Sequence, residues 1–349
     1  ANSPVVIRYN ILIPYQERIG KSMAAQNRLV SIVVPVFNEQ EALPAFHAGL
    51  VEALEGLPYE FHILYVNDGS TDQTSAILED LQSANPRVEV LELSRNFGHQ
   101  AALTAGMVHA IGDYVITMDG DGQHPPALIK EMLALAEHGY ELVLTQRIEE
   151  RRAGFKQWTS RNFYRFINWI GDTDITPGGA DFRLMTRTVV DALNSMPEHH
   201  RFLRGMVAWA GYRKVILPFQ PPQRLAGTSK YTLRKMLRLT TDAVFSFSLV
   251  PLYISTTIGF LFLVLALLES IYVLSFWISG RQDVLVPGWS STMFVLLIVG
   301  GSLMVALGII GLYIGYIFQE VKGRPVFLVR KHQLAAKYRD AADKTLHEE

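Results

Sequence analysis

Residues 29–39 read LVSIVVPVFNE, and residues 114–121 read YVITMDGD. Each is an unbroken β-branched run that stops abruptly in polar residues, the pattern of a strand buried on both faces and ending in a loop. Outward from these two, similar runs span Phe61–Val66, Val88–Leu93 and Glu141–Thr145, and the strand cores are Leu29–Val36 and Tyr114–Met118. Stretches of helical period lie between them, near Glu41–Glu55, Asp72–Ala84, Gly98–Ala110 and Pro125–His138. This alternation predicts βαβ units and a parallel sheet from Leu29 to Thr145. Ligands of open parallel sheets bind beyond the carboxyl ends of the strands, so the chemistry is expected in those polar loops.

The loops carry suitable groups. Asp119-Gly120-Asp121 follows one strand directly and continues into Gln123-His124-Pro125-Pro126. Paired carboxylates at a tight turn suit a hard divalent cation, Mg²⁺ or Mn²⁺, which would bridge a diphosphate and neutralise a leaving group. Pro35-Val36-Phe37-Asn38-Glu39 and Asn67-Asp68-Gly69-Ser70-Thr71-Asp72 close two other strands on the same edge. Asp68 offers acceptors to a base or ribose, and Phe37 an apolar surface beside it. Thr71 and Asp72 serve equally well as caps of the next helix.

The chain of 349 residues has no cysteine, which excludes a disulfide framework, a thiolate zinc site and a cysteine nucleophile. Its net charge of −1 hides a basic stretch between 147 and 238, suited to a phosphate-rich ligand or an anionic membrane surface. Within Arg151–Ile170, the side chains of Phe163, Phe166, Ile167 and Ile170 share one helical face, which either caps the soluble domain or lies on lipid headgroups. Ile254–Ile278 and Thr292–Phe318 are almost wholly apolar and exceed the roughly 20 residues needed to cross a bilayer. Arg281 is the sole basic residue of the loop between them, whereas the flanks carry Arg234, Lys235, Arg238, Lys322, Arg324, Arg330 and Lys331. The positive-inside rule then places both termini and the soluble domain in the cytoplasm. The run Val5–Ile13 is broken by Arg8 and lacks a following cleavage pattern, so it reads as an arm.

Three later segments are Leu93-Ser94-Arg95-Asn96-Phe97-Gly98-His99, Gly179-Ala180-Asp181-Phe182-Arg183-Leu184 and Arg224-Leu225-Ala226-Gly227-Thr228-Ser229-Lys230-Tyr231. Together with the carboxylate turn they resemble the family 2 glycosyltransferases of the GT-A fold. The likeness is to the polyisoprenyl-phosphate glycosyltransferases related to dolichol-phosphate-mannose synthase and the bactoprenol glucosyltransferases, over roughly residues 29–320. It implies an α/β, Rossmann-like GT-A domain at 29–230 after an arm at 1–28, then a juxtamembrane amphipathic segment at 231–250. Two transmembrane helices at 251–320 and a cytoplasmic tail at 321–349 complete the expected chain.

The resemblance also implies roles. Asp119, Asp121 and Gln123 would lie at Mg²⁺ or Mn²⁺, and Pro35, Phe37, Glu39, Asp68 and Asp119 at the nucleotide sugar. Asp181, Arg183, Arg224 and Lys230 would be catalytic, with Arg201, Arg204 and Ser229 at the acceptor phosphate. Relatives carry Asp-Ala-Asp-Leu-Gln where this chain has Gly120 and Gly122, from which a looser turn is expected. The implied reaction is inverting transfer of glucose from UDP-glucose to undecaprenyl phosphate at the inner membrane. The alternatives are mannose from GDP-mannose, an amino sugar from its UDP donor, or a non-catalytic membrane scaffold. A lipid bilayer and a homo-oligomer, a tetramer by resemblance, are the expected partners, with no nucleic acid. A phosphate monoester has a second pKa of about 6 and is largely a dianion at neutral pH. No strong base is needed, and Asp181 is expected to orient Arg183 or the acceptor, with a modest base role left open.

Overall fold

The computed structural model describes residues 28–148, 179–199, 201–222, 250–280 and 288–335. Its first part follows the β-branched runs. Strands β1 (Leu29–Val36), β2 (Glu60–Asn67), β3 (Val88–Leu93) and β4 (Tyr114–Thr117) lie parallel in the spatial order β3-β2-β1-β4. Helices α1 (Leu43–Leu54), α2 (Thr74–Ala84) and α3 (His99–His109) connect them, and α4 (Leu128–Glu137) leads into β5 (Leu142–Arg147).

The expected all-parallel sheet is corrected to a mixed one of eight strands, ordered β7-β5-β6-β4-β1-β2-β3-β8. Strand β6 (Gly179–Thr186) inserts antiparallel between β4 and β5, and β7 (Lys214–Phe219) runs parallel to β5 at one edge. At the other edge β8 (Val329–Gln333) pairs antiparallel with β3. The β8 sequence VRKHQ has no apolar alternation and is mostly exposed, so only its pairing identifies it as a strand. It returns to the sheet a segment that the sequence reading assigned to the tail.

Two cores flank the sheet because successive strand residues face opposite sides. Ile32, Val34, Tyr65, Phe182 and Leu184 meet α1, α2 and α4 on one face. On the other, Val33, Leu64, Val66 and Met185 meet α3 and two short helices, α5 (Arg187–Ser195) and α6 (Leu203–Trp209). Each fully buried Leu or Ile contributes roughly 1.5–3 kcal/mol, which holds the strand ends in fixed relation.

Two long helices, α7 (Val250–Ile278) and α8 (Trp289–Val321), pack against each other. Large apolar side chains such as Phe260, Leu267, Leu303 and Ile314 stand exposed along both. Within α8, the 24-residue stretch Ile298–Val321 is long and apolar enough to cross a membrane. The amphipathic segment of 151–170, most of that at 231–250, and the arm before Arg28 lie outside the described residues.

Candidate active site

The antiparallel register of β4 with β6 sets Thr117 opposite Arg183. Just past the end of β4, Asp119 reaches the same His99 ring as Asp181 does. Thr117 Oγ1 donates to the Asp181 carbonyl at 2.6 Å, and Thr145 Oγ1 donates to the Phe182 carbonyl at 2.6 Å, which pins β6 between its neighbours. Residues from distant parts of the chain thus meet at one edge of the sheet.

Asp181 is buried and surrounded by cations. Arg204 grips it twice, Nε to Oδ1 at 3.1 Å and Nη2 to Oδ2 at 2.9 Å, and Arg183 Nη2 donates to Oδ1. His99 Nε2 lies 3.5 Å from Asp181 Oδ2 and also 3.5 Å from Asp119 Oδ1. Burial opposes ionisation of Asp181, yet Arg204, His99 and Arg183 outweigh it and hold its carboxyl well below the usual carboxylate range. The same carboxylates act back on His99: burial disfavours the imidazolium, but Asp181 and Asp119 prevail and raise its pKa. A carboxylate so fully engaged by cations is a poor proton acceptor.

Asp119 bridges the two faces of the sheet. Its backbone N–H donates to His124 Nδ1 at 2.9 Å, and its Oδ2 lies 3.7 Å from His124 Nε2. Asp119 Oδ1 is buried and has no hydrogen-bond partner among the described residues. Asp121 Oδ1 accepts from the Gln123 N–H at 3.0 Å, and Gly122, at φ 79°, supplies the left-handed residue that the turn needs. The turn is therefore internally braced instead of loose. Carboxylates at a turn after a strand suit a hard divalent cation, and Asp119, Asp121 and Gln123 are the residues that would hold one, although no cluster of three His, Asp or Glu ligands forms among the described residues. Arg147, at the end of β5, brings Nη2 to 3.2 Å from His124 Nε2, and its buried Nε has no partner among the described residues.

The loops that follow β1 and β2 are cross-linked to each other. Asn38, at φ 54°, donates its N–H to Ser70 Oγ and accepts the Thr71 N–H on its side chain at 2.8 Å. The Glu39 N–H donates to Thr74 Oγ1 at 3.0 Å, while Phe37 and Glu39 are half-buried and Pro35 is buried. Asp72 Oδ1 accepts the Thr74 N–H at 3.0 Å, in keeping with a capping role. Asp68 is buried, and its two oxygens accept from Phe97 N–H at 2.7 Å and Gly98 N–H at 2.9 Å. Burial raises its pKa, against the pull of those two amides. Asp68 thus holds the 94–98 loop, on which Arg95 stacks over the Phe97 ring at 4.3 Å.

Of the residues singled out in the sequence, Asp119, Asp181, Arg183 and Arg204 converge. Arg201 stands apart, its guanidinium donating to the Leu193 carbonyl. Arg224, Ser229 and Lys230 lie outside the described residues. His99, His124 and Arg147 were not singled out, although His99 and His124 sit inside motifs already noted and Arg147 ends a recognised strand.

Residues 31–193 match the family described as Glycosyl transferase family 2. An uncharacterized glycosyltransferase of Synechocystis is 39% identical over 86% of this chain and 94% of its own length. The prophage-derived bactoprenol glucosyl transferase of Shigella flexneri is 36% identical over 86% of this chain and 97% of its own. A prophage bactoprenol glucosyl transferase homolog of Escherichia coli is 37% identical, with 86% and 98% covered.

Proposed function

The chain belongs to glycosyl transferase family 2, and from that premise we propose that it transfers glucose from UDP-glucose to undecaprenyl phosphate on the cytoplasmic face of a membrane. The observation that carries this reading is the convergence of Asp119 with the Asp181–Arg183–Arg204 cluster at the carboxyl edge of the sheet. The similarity to bactoprenol glucosyl transferases supports the sugar and the lipid. The α7–α8 pair, taken as two spans with a cytoplasmic catalytic domain, supports delivery of a membrane-borne acceptor.

In this mechanism a phosphate oxygen of the acceptor attacks the anomeric carbon, the bond from that carbon to the UDP oxygen breaks, and UDP departs. Attack from the face opposite the leaving group inverts the configuration. The acceptor arrives largely as a dianion, so no side chain need remove a proton. Asp181 holds Arg183 and Arg204 as a fixed cationic wall, and Arg224 and Lys230 add charge to the same phosphates. Asp119, Asp121 and Gln123 would hold Mg²⁺ or Mn²⁺, which when bound neutralises diphosphate charge.

Purified protein offered UDP-glucose, GDP-mannose and amino-sugar donors with undecaprenyl phosphate tests the reading. Lipid-linked glucose is the expected product. In Lys230→Met, transfer should fall by about 30- to 1,000-fold, as when a donor to a developing charge is lost. Transfer from GDP-mannose with none from UDP-glucose reassigns the donor, and undiminished turnover in Lys230→Met removes that residue from the site.

A further inference from the structure

His124 is fully buried, and the reaction as described leaves it without a task. Its ring nitrogens can be assigned from hydrogen-bond chemistry alone. Nδ1 receives the Asp119 backbone N–H at 2.9 Å, and a nitrogen that accepts carries no proton. In the neutral ring the hydrogen therefore sits on Nε2. Among the described residues, Nε2 lies 3.2 Å from Arg147 Nη2 and 3.7 Å from Asp119 Oδ2, the latter beyond hydrogen-bond reach. His124 thereby holds Asp119 at its backbone N–H. The ring itself has little freedom to turn, being stacked on Phe182 at 5.2 Å and 21° and edge-on to Phe219 at 6.1 Å and 71°.

We propose that His124 is a positioning residue that anchors the Asp119 backbone through Nδ1, and so presets the Asp119 carboxylate for the cation and diphosphate of the donor. Among the described residues its Oδ1 makes no hydrogen bond, and His99 Nε2 is its ion-pair neighbour at 3.5 Å. A preset ligand avoids the ordering cost that a freely rotating carboxylate meets on binding. This inference rests on the donor and metal reading above.

The test is calorimetry of UDP binding to the full chain in detergent, with and without Mn²⁺, alongside thermal unfolding. His124→Phe retains an aromatic ring but removes the acceptor, whereas His124→Asn restores an acceptor near the Nδ1 position. The Mn²⁺-dependent UDP affinity should fall about 10-fold or more in His124→Phe and stay within about 3-fold of wild type in His124→Asn. Should His124→Phe fail to fold, His124→Gln replaces it, because its acceptor lies too far out for the Asp119 amide and it should bind as weakly. Wild-type affinity in the acceptor-less variant, or equal weakening in Asn and Phe, overturns the inference alone. Wild-type binding that ignores Mn²⁺ removes the metal assignment together with it.

Discussion

Two acid–base clusters are built into the sheet from similar parts and finished differently. Under β8, Glu89 is buried and fully answered: Oε2 meets His62 Nε2 at 3.1 Å and Oε1 meets His332 Nε2 at 2.7 Å. His62 Nδ1 is in turn 3.0 Å from Ser31 Oγ, and the His332 ring sits edge-on to His109. At the carboxyl edge, Asp181 is equally well held, but its neighbours are not. Asp119 Oδ1 and Arg147 Nε lack hydrogen-bond partners among the described residues, and the His99 side chain is 41% exposed. A closed cluster ties chain segments together, here β2, β3 and the strand that follows α8. An open one keeps polar capacity in reserve for a ligand.

The comparison breaks most readily at the open cluster. Asp121→Asn should lower sugar transfer by at least about 100-fold, as expected when a ligand charge is lost at a transferring diphosphate, while the unfolding midpoint stays put. Full activity of that variant in excess chelator would show that the open cluster binds no metal.

The closed cluster should respond in the opposite sense. Glu89→Gln should destabilise the fold by about 2–3 kcal/mol, because two histidines lose a charged partner in the interior, and leave Mn²⁺-dependent UDP affinity unchanged. Burial opposes ionisation of Glu89, but the bonds from His332 and His62 lower its pKa from 4.5 to about 2. The folded form therefore holds its proton less tightly than the unfolded one. That stabilisation is complete above about pH 4.5 and drains away as pH falls toward 2. Denaturant melts across that window should show Glu89→Gln flattening the acid limb. A parallel loss of UDP affinity would erase the distinction between the clusters.

The smallest expected effect lies between the two regions. Gly69 has φ 65°, and a Cβ there would stand 2.6 Å from the Arg95 carbonyl carbon. Gly69→Ala should therefore cost about 1–3 kcal/mol and raise the KM for donor more than it lowers kcat, since it pushes the Asp68 loop off the 94–98 loop. An unaltered KM would mean that this contact is structural alone.

Legibility in the sequence followed the locality of the signal. Leu29–Val36 and Tyr114–Thr117 announce themselves because β-branched runs buried on both faces need no partner to be recognised. The Asp119–Asp121 turn was readable for the same reason, directly after such a run. β6 was noted as a motif yet not as a strand, since Asp181 and Arg183 break the apolar pattern at the positions where they serve the site. The charged β8 carries no strand pattern of its own. Asp68 looked free for a nucleoside, and it is the 94–98 loop, distant in sequence, that occupies both of its oxygens.

The sequence by itself determined the parallel strands β1 to β4, their connecting helices, the apolar character of the long C-terminal helices and the carboxylates of the turn, but not the order of the strands. Each is set by short-range periodicity or by side-chain chemistry at one place in the chain. Only the tertiary structure decided that Asp119 and Asp181 share His99, that His124 presents Nδ1 to the Asp119 amide, and that β8 closes over Glu89. Those facts depend on antiparallel register and on side chains meeting across the sheet, and pairings between distant segments leave no periodic trace in either partner.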